Sequence, residues 1–125
     1  MQHRETIIRN YIEAYNQFNV PAMTTDMADD IIFANIQNGE TTMELHGLRQ
    51  FTAQAEIATT YFSERRQTIK AFRHREPETE VDIEYFGILA IDLPNGMKQG
   101  EEIRLSGRSV FGFEGDKVVR LTDIS

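Results

Sequence analysis

From residue 66 onward the chain is almost continuous strand-forming sequence broken only by tight turns, and this limits its folds more than anything else in it. Runs at about Arg66–Glu76, Glu80–Asp92, Glu101–Glu114 and Lys117–Ile124 are separated by Pro77-Glu-Thr79, Leu93-Pro-Asn-Gly96 and Gly115-Asp116. Turns this short join antiparallel neighbours, because a parallel crossover needs a dozen or more residues. A sheet of four such strands has an apolar face that something else must cover.

The first half supplies the cover. Ile7, Ile8, Tyr11, Ile12, Tyr15 and Phe18 fall at steps of three and four, which puts them on one face of a helix. Asn19 is a stop and a possible cap for a short helix at about Pro21–Met27, where proline fits the first turn. Ile31–Ile36 is short and rich in β-formers. It reads as a strand, turning at Asn38-Gly39 into a return strand at Thr41–His46. Leu48, Phe51, Ala55, Ala58 and Phe62 mark a third helix, about Leu48–Ser63. The order α, α, β, β, α, then four β, is that of an α+β domain with helices on one side of a mostly antiparallel sheet. The 125 residues show no linker, repeat or low-complexity tract, and one domain, 1–125, is expected.

Composition narrows the function classes. About a quarter of the residues are Ile, Leu, Val or Phe, enough for a packed core. There is no cysteine, which excludes disulfides, thiolate metal sites and cysteine catalysis. The net charge of −7 argues against broad nucleic-acid or anionic-membrane binding. No apolar run is long enough to span a bilayer, and the opening residues lead straight into an amphipathic pattern with no signal-like core, so a cytoplasmic location is expected.

The basic cluster Arg65, Arg66, Lys70, Arg73, Arg75 is followed at once by Glu76, Glu78, Glu80, Asp82 and Glu84. A hairpin turning at Pro77-Glu78 would set Arg75 against Glu80 and Arg73 against Asp82 on a solvated face, with His74 opposite Val81 and Phe72 opposite Ile83 on the other. This is a simpler reading than a nucleic-acid patch. Phe86–Ile91 is apolar on both faces, and a homodimer through the sheet would bury the outer one.

Three segments carry a family resemblance. Ile8–Asn16, the short Pro-led helix and Met27-Ala-Asp-Asp-Ile-Ile-Phe33 resemble the opening of the NTF2-like superfamily, which includes ketosteroid isomerase and the SnoaL-like polyketide cyclases. His46-Gly-Leu-Arg-Gln-Phe51 is similar to its entry into the third helix, and Phe111–Val118 to its late hairpin. The resemblance covers nearly the whole chain. It implies a strongly curved sheet wrapped around the helices as a cone, open onto a mostly apolar cavity, with dimers through the sheet common. No cofactor is implied.

Ketosteroid isomerase sets an Asp base against an oxyanion hole of a Tyr and a protonated Asp. By this resemblance Tyr11 stands at the oxyanion-hole Tyr, Asn35 at the base and Ser109 near the second Asp. Asn cannot accept a proton at neutral pH, so steroid isomerisation by that route is disfavoured. Alternation places Ser109 with Ile103, Leu105, Phe111 and Phe113, and Asn35 with Ile31 and Phe33. Each therefore either lines the pocket or is a locally satisfied polar group. Tyr11 and Tyr15 line the pocket or fill the core. His74, on an apolar face, is a candidate acid or base, or simply packed. Asp123 is a second candidate base, since some SnoaL-like enzymes and epoxide hydrolases of this fold use a late-strand Asp. The three histidines show no metal-ligand spacing. Three functions follow: a binding protein for a small, largely apolar or aromatic molecule held by Tyr11, Tyr15, Asn35 and Ser109; a proton-transfer enzyme using His74 or Asp123; or a protein-interaction module.

Overall fold

The computed structural model describes residues 2–125. Its elements are α1 (Gln2–Asn16), α2 (Val20–Met23), β1 (Met27–Gln37), β2 (Glu40–His46), α3 (Leu48–Thr59), β3 (Phe62–Arg75), β4 (Glu78–Leu89), β5 (Glu102–Glu114) and β6 (Lys117–Ile124). The six strands form one curled sheet in the order β2-β1-β6-β5-β4-β3, antiparallel throughout except for the parallel β1–β6 pair. The architecture is the expected α+β cone: α1 packs on β3, and α3 on β1 and β2.

The core forms where the apolar face of α1 meets the concave face of the sheet. Ile7, Ile8 and Ile12 lie among Ile31, Val81, Phe111 and Leu121, all buried. Emptying a site like Ile8 or Leu121, each with no exposed surface, typically costs ~2–5 kcal/mol.

Boundaries differ from the sequence reading where local polar chemistry intervenes. The second helix is one turn, Val20–Met23, capped by Asn19, whose Oδ1 accepts from the Ala22 N–H; β1 already begins at Met27. The third helix ends at Thr59 instead of Ser63. The hydroxyls of Thr59 and Thr60 donate to the carbonyls of Glu56 and Ile57, which favours leaving the helix. Phe62 therefore opens β3. Gly47 starts α3 at φ 92°, a conformation open to glycine, and its N–H donates to Ile31 O at 2.7 Å, fixing α3 over β1.

The β3–β4 turn is Glu76-Pro77, one residue earlier than expected. The pairs are Arg75–Glu78, His74–Thr79, Arg73–Glu80 and Phe72–Val81. The shift is two residues in register, so each side chain keeps its expected face. The Pro77 carbonyl accepts from the Phe113 N–H, which extends sheet pairing to the turn itself. Arg73 still reaches Asp82, diagonally and through both Nη atoms at 2.7 and 2.6 Å. Four of the five clustered cations are thus solvated, but Arg65 is turned inward and buried. On the outer face of β4, Phe86 and Ile88 are half-buried, and Phe86 is paired with Arg66 on one side and Arg104 on the other. Among the described residues, no helix is long and apolar enough to cross a membrane.

Candidate functional site

The parallel pairing of β1 with β6 sets three polar residues in one row across the concave face. Asn35 on β1 is level with Asp123 on β6, which is level with Ser109 on β5. The Ser109 hydroxyl donates to Asp123 Oδ1 at 2.7 Å. Asp123 Oδ2 has no hydrogen-bond partner among the described residues. Protein atoms crowd the carboxyl while the residue keeps a small solvent-reached surface. Burial pushes its pKa up to about 6, with the Ser109 hydrogen bond pulling the other way.

Asp123, Asn35 and Tyr15 stand where two hollows meet. One, of about 390 Å³, is bounded by α1, α3, β1 and β2 and lined by apolar groups such as Phe33, Leu45, Phe51 and Ala55. The other, about 260 Å³, lies against β4, β5 and the end of β6 and includes Ser109 and Tyr85. The small Ala55 and Ala58 of α3 leave the room that larger side chains would fill.

Helix α1 brings two tyrosines to the larger hollow. Tyr11 packs edge-on against Phe111, ring centroids 5.7 Å apart. Its hydroxyl has no hydrogen-bond partner among the described residues, and its pKa is held well above the ordinary range, first by burial and then by the nearby Asp123 and Tyr15. Tyr11 therefore keeps its proton and is a hydrogen-bond donor without an acceptor. The hydroxyls of Tyr15 and Tyr85 share a 2.8 Å hydrogen bond. Burial raises the pKa of both.

Arg65 completes the larger hollow, with 3 % of its surface exposed. Its guanidinium lies 3.7 Å from the Tyr15 ring centre and 4.5 Å from that of Phe18. Its Nε donates to the Tyr15 carbonyl at 2.9 Å. Nη2 is enclosed and has no acceptor. The end of α1 is pinned beside it: Asn16 Oδ1 accepts from the Gln67 N–H at 2.7 Å, and Asn16 Nδ2 donates to the Gln67 carbonyl.

Of the residues singled out from sequence, Tyr11, Tyr15, Asn35, Ser109 and Asp123 converge on these hollows. Asn35 donates from Nδ2 to Thr42 Oγ1 at 2.7 Å, which leaves its Oδ1 without a partner among the described residues. His74 is elsewhere. It lies nine residues beyond Arg65 on β3, about 30 Å along an extended strand at ~3.3 Å per residue. Its Nε2 meets Glu5 Oε2 at 2.7 Å, its Nδ1 meets Thr79 Oγ1 at 3.0 Å, and its ring stacks on Phe72. These contacts join the start of α1 to the β3–β4 hairpin. Arg65 and Tyr85 were not singled out as site residues. Their signal was alternation: Arg65 shares a face with Gln67 and Ile69, but a strand taken to begin at Arg66 hides it.

A search of curated protein sequences finds no match. The chain matches the SnoaL-like domain family over residues 8–121. Among solved structures, a protein from Xanthomonas campestris pv. campestris, provisionally assigned as a polyketide cyclase, superposes with a TM-score of 0.82 at 16 % identity, covering 99 % of this chain and 90 % of that one. AclR from Streptomyces galilaeus, provisionally a hydroxylase, gives 0.78 at 14 % identity over 98 % and 88 %. An uncharacterised cystatin-fold protein from Novosphingobium aromaticivorans gives 0.73 at 19 % over 96 % of each chain. At these identities the structural likeness speaks to the fold. The match over residues 8–121, which spans most of α1, the other helices and the sheet as far as Leu121, with Asn35 and Ser109 inside it and Asp123 just beyond it, is to the family itself: the chain belongs to the SnoaL-like family.

Proposed function

We propose that the hollow binds a small, largely apolar or aromatic carbonyl compound and that Asp123 moves a proton on it. The observation that carries this reading is the Asp123 carboxylate. One oxygen is anchored by Ser109 and the other has no partner among the described residues, where two hollows meet and near a Tyr11 hydroxyl that likewise has no acceptor among them. A base with a pKa near 6 is ionised at neutral pH yet retains useful proton affinity. It would take a proton from the carbon next to the carbonyl. The C–H pair would become the enolate C=C, the carbonyl pair would move onto oxygen, and the Tyr11 O–H would donate to that oxygen. Return of the proton to another carbon gives an isomer. Attack of the enolate carbon on a second carbonyl gives a ring, the chemistry of a cyclase. The provisional assignment of the Xanthomonas protein is of that kind. The hollow is open, not filled with side chains, which favours a small molecule over a protein-interaction module.

The test is exchange of α-protons for deuterium in 2-tetralone and related aryl ketones, followed by proton NMR. The native protein is expected to exceed the buffer rate, with a rate that rises with pH through about 6. Asp123→Asn should lower it by ~10²–10⁴. No exchange above buffer across such ketones, or full exchange by Asp123→Asn, refutes the reading.

A further inference from the structure

The larger hollow has one cation and one carboxyl in its lining, Arg65 and Asp123, and they form no ion pair with each other. A buried guanidinium normally has a carboxylate partner. Arg65 has none among the described residues. Its central carbon lies over the rings of Tyr15 and Phe18 and its Nε donates to a backbone carbonyl. The ring contacts account for why the group is buried at all. They leave the Nη edge unexplained: neither Nη1 nor Nη2 has an acceptor among the described residues, and Nη2 is shut off from water. An enclosed donor without a partner carries a desolvation penalty that an arriving acceptor would remove.

We propose that Arg65 is an anion subsite: the ligand carries a carboxylate that docks on the free guanidinium edge while its apolar body lies against Phe33, Phe51 and Ala55. This deepens the reading above and rests on it for the hollow being a ligand site. Of the two Nη atoms only Nη2 is enclosed, so a carboxylate oxygen in the hollow meets the guanidinium at Nη1 in a charge-assisted hydrogen bond. A phosphate dianion suits the site less well, because it would meet one cation and a nearby carboxyl. The ligand class is therefore an aromatic or unsaturated carboxylic acid bearing a carbonyl at the far end, with Arg65 holding the acid and Asp123 facing the carbon to be deprotonated.

Calorimetric binding of 2-naphthoate and of 2-naphthamide at pH 7.5 tests this, since the two probes share a ring system and differ in charge. The native protein should prefer naphthoate by about 10- to 100-fold, the range for charge-assisted hydrogen bonds. Arg65→Met should erase the preference, and Arg65→Lys should keep part of it. Equal affinities in the native protein, undetectable naphthoate binding, or a preference that survives Arg65→Met overturns the proposal. If Arg65→Met does not fold, nitrogen-15 NMR of the native protein decides: the Arg65 Nη signals must shift with naphthoate and not with naphthamide. An intact preference alongside absent α-proton exchange upholds the subsite and sinks the proton-transfer reading alone.

Discussion

Replacing Asp123 by Asn should stabilise the protein, and by an amount that depends on pH. The carboxyl titrates near 6 when folded, against an ordinary value of 3.8. Between those values the unfolded chain has released its proton and the folded chain still holds it. Folding is therefore favoured most by this group below pH 3.8, and that contribution is lost as pH rises toward and through 6. A shift of about two units corresponds to ~3 kcal/mol at ~1.36 kcal/mol per unit. Asn has the shape of the protonated acid, can accept from Ser109 as it does, and does not ionise. The gap in unfolding free energy between Asp123→Asn and the native protein should thus be small near pH 4 and widen by ~2–3 kcal/mol at pH 7.5. With a urea slope near ~2 kcal/mol per molar, the midpoints should separate by a further ~1–1.5 M across that range. Every other titrating group is common to both proteins, so the change in the gap isolates position 123. A gap that stays constant from pH 4 to 7.5 would refute the reasoning, as would a carbon-13 titration of Asp123 centred near 4.

Tyr11→Phe keeps the ring against Phe111 and removes a hydroxyl without a partner. Stability should hold within ~0.5 kcal/mol while α-proton exchange falls ~10²-fold, and unfolding curves beside NMR rates separate the two. His74→Gln should cost ~1 kcal/mol through the lost Glu5 and Thr79 contacts and leave exchange unchanged; a large fall in rate would make His74 the base instead. Gly107→Ala would bring a Cβ within 2.7 Å of the Ile124 carbonyl oxygen, a clash with backbone that should lower stability by ~1–3 kcal/mol by calorimetry. The outer face of β4, with Phe86 and Ile88, is expected to join two copies, so light scattering at micromolar concentration should give twice the 14.4 kDa chain mass; a single-chain mass refutes this.

What the sequence disclosed was what local periodicity encodes. The α1 stripe at Ile7–Tyr15, the strand faces around Ser109 and Asn35, and the tight turns all follow from 3.6- and 2-residue repeats, which depend on neighbours a few positions away. Two features depend on more distant parts of the chain. Asp123 is level with Asn35 only because β6 lies parallel to β1, and no turn joins those strands to announce it. Family resemblance brought Asp123 forward; spacing did not. Arg65 looked like one more solvated cation because its run of neighbours is solvated. Its burial depends on where α3 stops, and Thr59 and Thr60 set that stop through hydroxyl bonds to the preceding turn. Extending the helix to Ser63 hides both the strand and the parity that turns Arg65 inward.

Holding Arg65 and Asp123 apart is what makes the carboxyl usable as a base. An arginine in contact would pull an aspartate's pKa down by ~1–3 units, where it is too weak to take a proton from carbon at neutral pH. Here the guanidinium is fixed away from Asp123 by the Tyr15 carbonyl and by two rings, one of them on Phe18, which adopts φ 60°, a conformation uncommon for a bulky residue. The Asn16–Gln67 bonds lock the same corner. With the cation so restrained, burial dominates the titration of Asp123, and the cost appears as lost stability above pH 6. The end of α1 therefore shapes the chemistry of a residue on β6 that it does not bond, through where it keeps a charge.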